Sequence, residues 1–366
     1  MWMDEASVNR YLSIILCVAQ SVTLTDCHVH PFEVIYDQSD YEPNPQVDGL
    51  YSNGKINYVP PIPAPFELDA MSQIPPKASP DLAKRMLLLA LRCTYAHTGP
   101  RYCMDQAIIA GIRRLILLPV ARPGRSAEAQ LKKIASYFGK DPRFRLGYSL
   151  ENTLEPNEVE EDVRRNMDSY GIQVLKLHPN LSGHDLTSRI GIDRVNALMD
   201  TSKKVNLPVI IHGGPSPVLK DANSGHYGEL ENLENIDFGR TNQTVVIAHA
   251  GFYALNYEEV EGRAMPLIKK MMKKNANIFV DSSSLTTKVL DLLIKNIDYK
   301  KILFGSDSFY EPSWKSAIKL YWVLEKNFKN PEEVFSMIAG RNPERVFEKR
   351  SHDDVALFHK QISPIS

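Results

Sequence analysis

Two histidines stand two residues apart in Thr25-Asp26-Cys27-His28-Val29-His30, at the end of a short apolar run. On a strand, residues i and i+2 project to one face, so both imidazoles can reach a single metal ion while Cys27 and Val29 point away. Potential ligands recur downstream, each closing an apolar run: His178 after Val174-Leu175-Lys176-Leu177, His212 after Val209-Ile210-Ile211, His249 after Val245-Val246-Ile247-Ala248, and Asp307 after Ile302-Leu303-Phe304-Gly305-Ser306. Imidazoles and a carboxylate gathered at strand ends are the donors of a catalytic divalent-metal site; a structural zinc would more often use cysteines. A cation held there lowers the pKa of its water toward ~7 and polarises a neighbouring carbonyl.

Such residues meet only if the strands carrying them are side by side. The runs are apolar on both faces, the mark of a parallel sheet covered by helices. After the strand ending at His30, further strands are expected at Arg114 to Ala121, Phe144 to Leu150, Gln173 to His178, Pro208 to His212, Thr244 to His249, Asn277 to Asp281 and Lys301 to Asp307, eight in all. Helical periods fall between them at Ala127 to Phe138, Asn157 to Tyr170, Arg189 to Asn206, Tyr257 to Lys274 and Thr286 to Asn296. Eight alternating units of this size make an α/β chain that closes into a TIM (β/α)8 barrel. Active sites in that fold lie at the carboxyl ends of the strands, where His28, His30, His178, His212, His249 and Asp307 all fall. An open sheet would not bring strands one, five, six and eight to a common point.

Residues 31 to 80 hold ten of the 24 prolines and interrupt this alternation after the first strand. Asn53-Gly54 reads as a hairpin turn. The insertion, residues 31–100, emerges at the catalytic face, either as a lid or wall lined by Tyr36, Tyr41, Tyr51, Tyr58 and Phe66, or as a cover that only rigidifies the barrel. The expected organisation is a helical extension over residues 1–24, a barrel over 25–350 that includes the insertion, and a tail over 351–366. Tyr11 to Val22 is too short and too interrupted by Ser13 and Gln20 to span a bilayer, and Asp4 and Glu5 spoil a signal peptide. A helix against the barrel bottom is expected instead.

A formal net charge of -1 with no basic block excludes a nucleic-acid footprint, leaving a small molecule as the partner. Neither membrane association nor a disulfide framework is expected: the four cysteines, Cys17, Cys27, Cys93 and Cys103, have no paired spacing, which points to a reducing, cytoplasmic setting. A homodimer is the expected assembly.

In this order, Asp26-Cys27-His28-Val29-His30, Lys176-Leu177-His178-Pro179, Ile211-His212-Gly213-Gly214, Ala248-His249-Ala250-Gly251, Gly305-Ser306-Asp307 and Ile338-Ala339-Gly340-Arg341-Asn342-Pro343 resemble the amidohydrolase superfamily, in particular its amidohydrolase-2 branch of metal-dependent hydrolases and decarboxylases. The resemblance runs from about Thr25 to Phe347. It implies that His28, His30, His212 and Asp307 are metal ligands and that His249 is the sixth-strand histidine. One divalent ion is expected, zinc first, with manganese or another ion as the alternative. Asp307 suits general base work, and His249 is a second acid/base group, a further ligand, or a hydrogen-bond partner of the water. Lys176 and His178 share the inward face of strand four as substrate-binding groups. Lys176 alternatively bridges two metals in carboxylated form, as in binuclear members, or pairs with a carboxylate such as Asp281.

The leading expectation is hydrolysis of an amide, ester or lactone by metal-activated water. The alternative is nonoxidative decarboxylation of an aromatic or unsaturated acid, with Arg122 and Arg125 as clamps or mere surface charges, and a third reading is a noncatalytic small-molecule-binding barrel. His97, His184, His226, His352 and His359 fall in loops or tails and are expected at the surface.

Overall fold

The computed structural model describes residues 2–30, 66–69, 102–138, 141–216, 219, 223–308 and 311–348. Eight parallel strands follow one another around a barrel: Leu24–Val29, Ile112–Leu117, Phe144–Ser149, Val174–Leu177, Val209–Ile211, Val245–Ile247, Ile278–Asp281 and Ile302–Leu303. Each pairs with the next in parallel register. The last returns to the first through Cys27 N to Phe304 O (2.9 Å), Asp307 N to His28 O (2.9 Å) and His30 N to Ser308 O (3.0 Å). The barrel is the TIM type expected.

Alternation explains why these strands are apolar throughout. Val209 and Ile211, Val245 and Ile247, and Ile278 and Val280 face the helices in one large buried cluster. Ile210, Val246 and Phe279 point inward with Ile116, Val174 and Leu303, floored by Phe347. The inward face continues two residues on from Val174 to Lys176, from Ile210 to His212 and from Phe279 to Asp281, so the apolar plug leads directly into the polar site. Cys27 departs from the expectation that it points away: it belongs to the inner cluster. The cause is a shift in the first strand's register against its neighbour between Asp26 and Val29, which suspends strict alternation there.

The helices lie where periodicity places them, at Glu128–Phe138, Val159–Tyr170, Arg189–Val205 and Thr287–Asn296. The stretch from Tyr257 to Lys274 is helical but carries a π-turn at Val260–Ala264. The N-terminal helix, Glu5–Ser21, is capped by Asp4 accepting from Ser7 N at 2.8 Å. Its final turn meets the base of the second strand at Gly111, where a Cβ would come within 2.7 Å of Ala19 Cβ. Its outer half packs on the helix Ser313–Asn327, with Tyr11 donating to Glu325 at 2.9 Å. Among the described residues no helix is long and apolar enough to cross a membrane, and Cys17 and Cys27 are free thiols.

The proposed hairpin at Asn53-Gly54, Tyr36, Tyr41, Tyr51, Tyr58, Cys93, His97, His352, His359 and the tail lie outside the described residues. Phe66 is described, in the pair Phe66–Glu67 that runs antiparallel to Trp2–Met3, and its ring meets Trp314 edge-on at 5.1 Å. Arg122 and Arg125 face each other across a tight turn through backbone bonds of 3.0 and 2.9 Å; Arg125 is exposed. His226 is at the surface beside Glu229 at 2.7 Å, as expected.

His184 is a correction. It is fully buried rather than superficial: Nε2 donates to Leu150 O at 3.1 Å and Nδ1 has no partner. Burial drives its pKa from 6.5 down to about 4. As the pH falls through that window the unfolded chain takes up a proton that the folded chain refuses, so stability present above about 6.5 is lost toward about 4. We expect His184→Gln, which keeps a donor for Leu150, to flatten the acid limb of the unfolding free energy between those values; urea titrations at stepped pH measure it.

Candidate metal centre at the carboxyl end of the barrel

Three histidines at the barrel mouth have their tautomers set by acceptors on their far sides. His28 Nδ1 faces Asp281 Oδ2 at 2.9 Å, and His30 Nδ1 faces Leu118 O at 2.7 Å. Both acceptors require a proton on Nδ1, which leaves each Nε2 as a bare lone pair. His249 Nδ1 lies 3.2 Å from Ser283 O and 2.9 Å from Ser283 Oγ, whose own hydrogen is given to Asp281 Oδ1. His249 therefore also keeps its proton on Nδ1 and presents Nε2.

These donors converge. His28, His249 and Asp307 each place a ligand atom within 4.8 Å of the others'. His28 Nε2 and His30 Nε2 are 3.0 Å apart, and Asp307 Oδ1 is 3.7 and 3.6 Å from them. Two bare nitrogens that close repel each other unless a cation shares them, so the residues present fit a divalent ion. His212, the expected fifth-strand ligand, is outside the tightest group: its ring centre is 5.0 Å from that of His249, and it stacks on His178 at 3.9 Å. Yet His212 Nε2 is buried without a partner, as a nitrogen awaiting a ligand would be.

Lys176 is buried, with Nζ 3.3 Å from His28 Nε2. Burial lowers its pKa from 10.5 to about 8, against the attraction of Asp281 and Asp307. The alternative pairing with Asp281 does not form within ion-pair distance, because Asp281 is engaged by His28. His178 Nδ1 accepts from Leu181 N at 3.2 Å, so its proton is on Nε2. Burial drives His30, His178 and His212 well below 6.5 and His249 to about 4, and all four are neutral at pH 7. For Asp307, burial pushes the pKa up, but His28, His249, His30 and the hydrogen bond from Ser284 (2.6 Å) outweigh it and hold the carboxyl below its ordinary value.

Residue types and spacing named Asp281 only as a possible partner of Lys176, and did not single out Ser283, Ser284 or Tyr253. Asp281 ends the seventh inward-facing strand, and that position alone was a usable signal. Ser284 depends on backbone that leaves the strand path, as do His249 and Asp307: their φ are 52°, 56° and 57°. Each such residue costs about 1–3 kcal/mol and persists only where its surroundings hold it, which turns these side chains toward one point.

Asp281 is the support on which the two imidazoles rest. Asp281→Asn should lower zinc affinity on the order of 10- to 100-fold, read by competition with a chromophoric chelator, while leaving the far-UV spectrum intact.

A search of curated proteins found no match. Among solved structures, the chain is similar to 5-carboxyvanillate decarboxylase from Sphingomonas paucimobilis, at 14% identity over 89% of this chain and 99% of that one, with a TM-score of 0.53. The corresponding enzyme of Novosphingobium aromaticivorans, complexed with manganese and 4-hydroxy-3-methoxy-5-nitrobenzoic acid, gives 13%, 90%, 96% and 0.51. A 4-oxalomesaconate hydratase from Rhodopseudomonas palustris gives 17%, 93%, 99% and 0.50. At these identities the likeness is one of fold. A family model described as amidohydrolase matches residues 121–349, more than half of the chain, and takes in every ligand candidate except the first-strand pair. The chain belongs to the amidohydrolase superfamily, in its amidohydrolase-2 family of metal-dependent enzymes.

Proposed function

We propose that this chain is a hydrolase that opens an amide, ester or lactone bond of a small molecule at a single divalent metal. The observation that carries this reading is the state of Asp307: a buried carboxylate held ionised, one oxygen anchored by Ser284 and the other beside the Nε2 atoms of His28 and His30. Hydrolysis begins by taking a proton from water, which needs a base. Among the described residues the site is rich in bases and neutral imidazoles and holds no protonated carboxylic acid next to the cation position.

His28, His30 and Asp307 hold the cation in this reading. The remaining imidazole position falls to His249, whose Nε2 is turned toward it, or to His212, whose Nε2 is buried and unpaired. Zinc suits a set of imidazoles with one carboxylate. When bound, such an ion polarises a substrate oxygen and makes an adjacent water more acidic. Asp307 takes the proton of that water and returns it to the leaving group. Lys176 offers its ammonium to a substrate oxygen, and His178 offers Nε2–H.

A second reading, nonoxidative decarboxylation, is favoured by the burial of Lys176, an ammonium that can receive a carboxylate. Decarboxylation is also what two of the similar solved structures are named for. The two reactions differ in their proton balance at neutral pH. Ester or lactone hydrolysis releases acid, whereas decarboxylation takes up a proton and liberates carbon dioxide. We expect zinc-loaded protein to release acid from a panel of lactones and esters, with Asp307→Asn slower by about 100-fold or more. Carbon dioxide from a panel of aromatic acids, with no lactone or ester turnover, would sink the hydrolase reading and establish the second.

A further inference from the structure

The loop after the sixth barrel strand is held in a conformation that L-residues avoid. His249, Ala250 and Ala254 have φ of 56°, 52° and 58°, with Gly251 among them at 81°. The glycine pair after the fifth strand presses against it. A Cβ on Gly214, itself at φ 116°, would come within 2.7 Å of Tyr253 N and O, and a Cβ on Gly213 within 2.7 Å of Gly251 Cα. Two loops thus pack backbone against backbone, and that contact delivers the ring of Tyr253 to a point 5.2 Å from His212 and 5.0 Å from His249.

The two histidine rings it meets, His212 and His249, are buried, whereas Tyr253 itself is only partly covered beside the candidate metal centre. Among the described residues its hydroxyl has no hydrogen-bond partner. A wall that served only to exclude water would be as well made by phenylalanine. A phenol left unpaired at the mouth of a site is costly to cover unless the covering molecule brings an acceptor. A site built in this way also rejects molecules that lack one.

We propose that Tyr253 is a substrate-binding, specificity-determining residue whose hydroxyl donates to an acyl or carboxyl oxygen of the substrate while its ring packs on the substrate's planar apolar part. The assignment rests on the metal-centre reading above. The probes are benzoate and acetate, titrated calorimetrically into zinc-loaded wild type, Tyr253→Phe and Tyr253→Leu, after the zinc content of each has been measured.

Tyr253→Phe should keep its zinc and lose affinity for both acids on the order of 10- to 100-fold, the worth of one hydrogen bond to a charged group, with the preference for benzoate over acetate retained. Tyr253→Leu should lose that preference as well. Unchanged affinity in Tyr253→Phe at normal zinc content overturns this inference alone, as does a zinc-loaded wild type that binds neither acid. Wild-type protein that holds no zinc overturns the metal reading and this inference with it.

Discussion

Asp281 is wholly buried and yet carries its charge because four donors converge on it. His28 Nδ1 meets one oxygen at 2.9 Å; His249 N (2.8 Å), Ser283 N (3.1 Å) and Ser283 Oγ meet the other. Taking an isolated carboxylate out of water costs several kcal/mol, and only such saturation offsets it. Burial by itself would raise the pKa of Asp281, but His28 and the remaining donors hold it below the ordinary carboxylate range. The consequence reaches the other side of the rings. A carboxylate that demands Nδ1–H from His28, and a serine that passes the same demand to His249, leave two Nε2 atoms bare and aimed at Asp307.

The barrel makes that convergence possible because its interior is filled rather than hollow. Val174, Ile210, Val246, Phe279 and Leu303 form a plug beneath the polar layer, so Lys176, His212 and Asp281, two residues beyond Val174, Ile210 and Phe279, have one direction in which to lie. Asp26 adds a brace on the closing seam. It accepts from Ser306 N at 3.0 Å and Ser313 Oγ at 2.7 Å, tying the first strand to the loop that carries Asp307. Burial raises the pKa of Asp26 to about 6, against those hydrogen bonds, so the brace is itself a strained charge.

The fold was legible in the sequence because strands buried on both faces leave unbroken apolar runs. Val209–Ile211 and Val245–Ile247 lie inside the stretches that apolar runs mark out, and the ligand candidates follow at their ends. Orientation beyond the strand end was not legible. His249 and Asp307 turn into the site through left-handed backbone, which no residue pattern announces. Cys27 was misjudged because a register shift interrupts alternation. His184 was misjudged because a histidine in a loop reads as exposed, whereas the loop folds back so that Leu150 O can receive it. Patterns report which face an element buries; single side chains beyond its end are settled by tertiary hydrogen bonds.

Lys176 shows how tightly the resulting charges are coupled. Its nearest polar contact is the bare Nε2 of His28, the same lone pair that a cation would take. An ammonium and a divalent ion cannot both use it, and in a buried site their repulsion is poorly screened. With a cation bound, Lys176 would have to turn its hydrogens elsewhere, and among the described residues the carboxylate oxygens it is drawn to are those of Asp281 and Asp307, with a bound molecule as the alternative. Asp281 is saturated by its four donors, and Asp307 is anchored by Ser284 and shared with the cation. In the proposed reading a substrate oxygen would therefore meet a lysine whose alternatives have been removed, its hydrogens freed for that contact by filling the metal centre first.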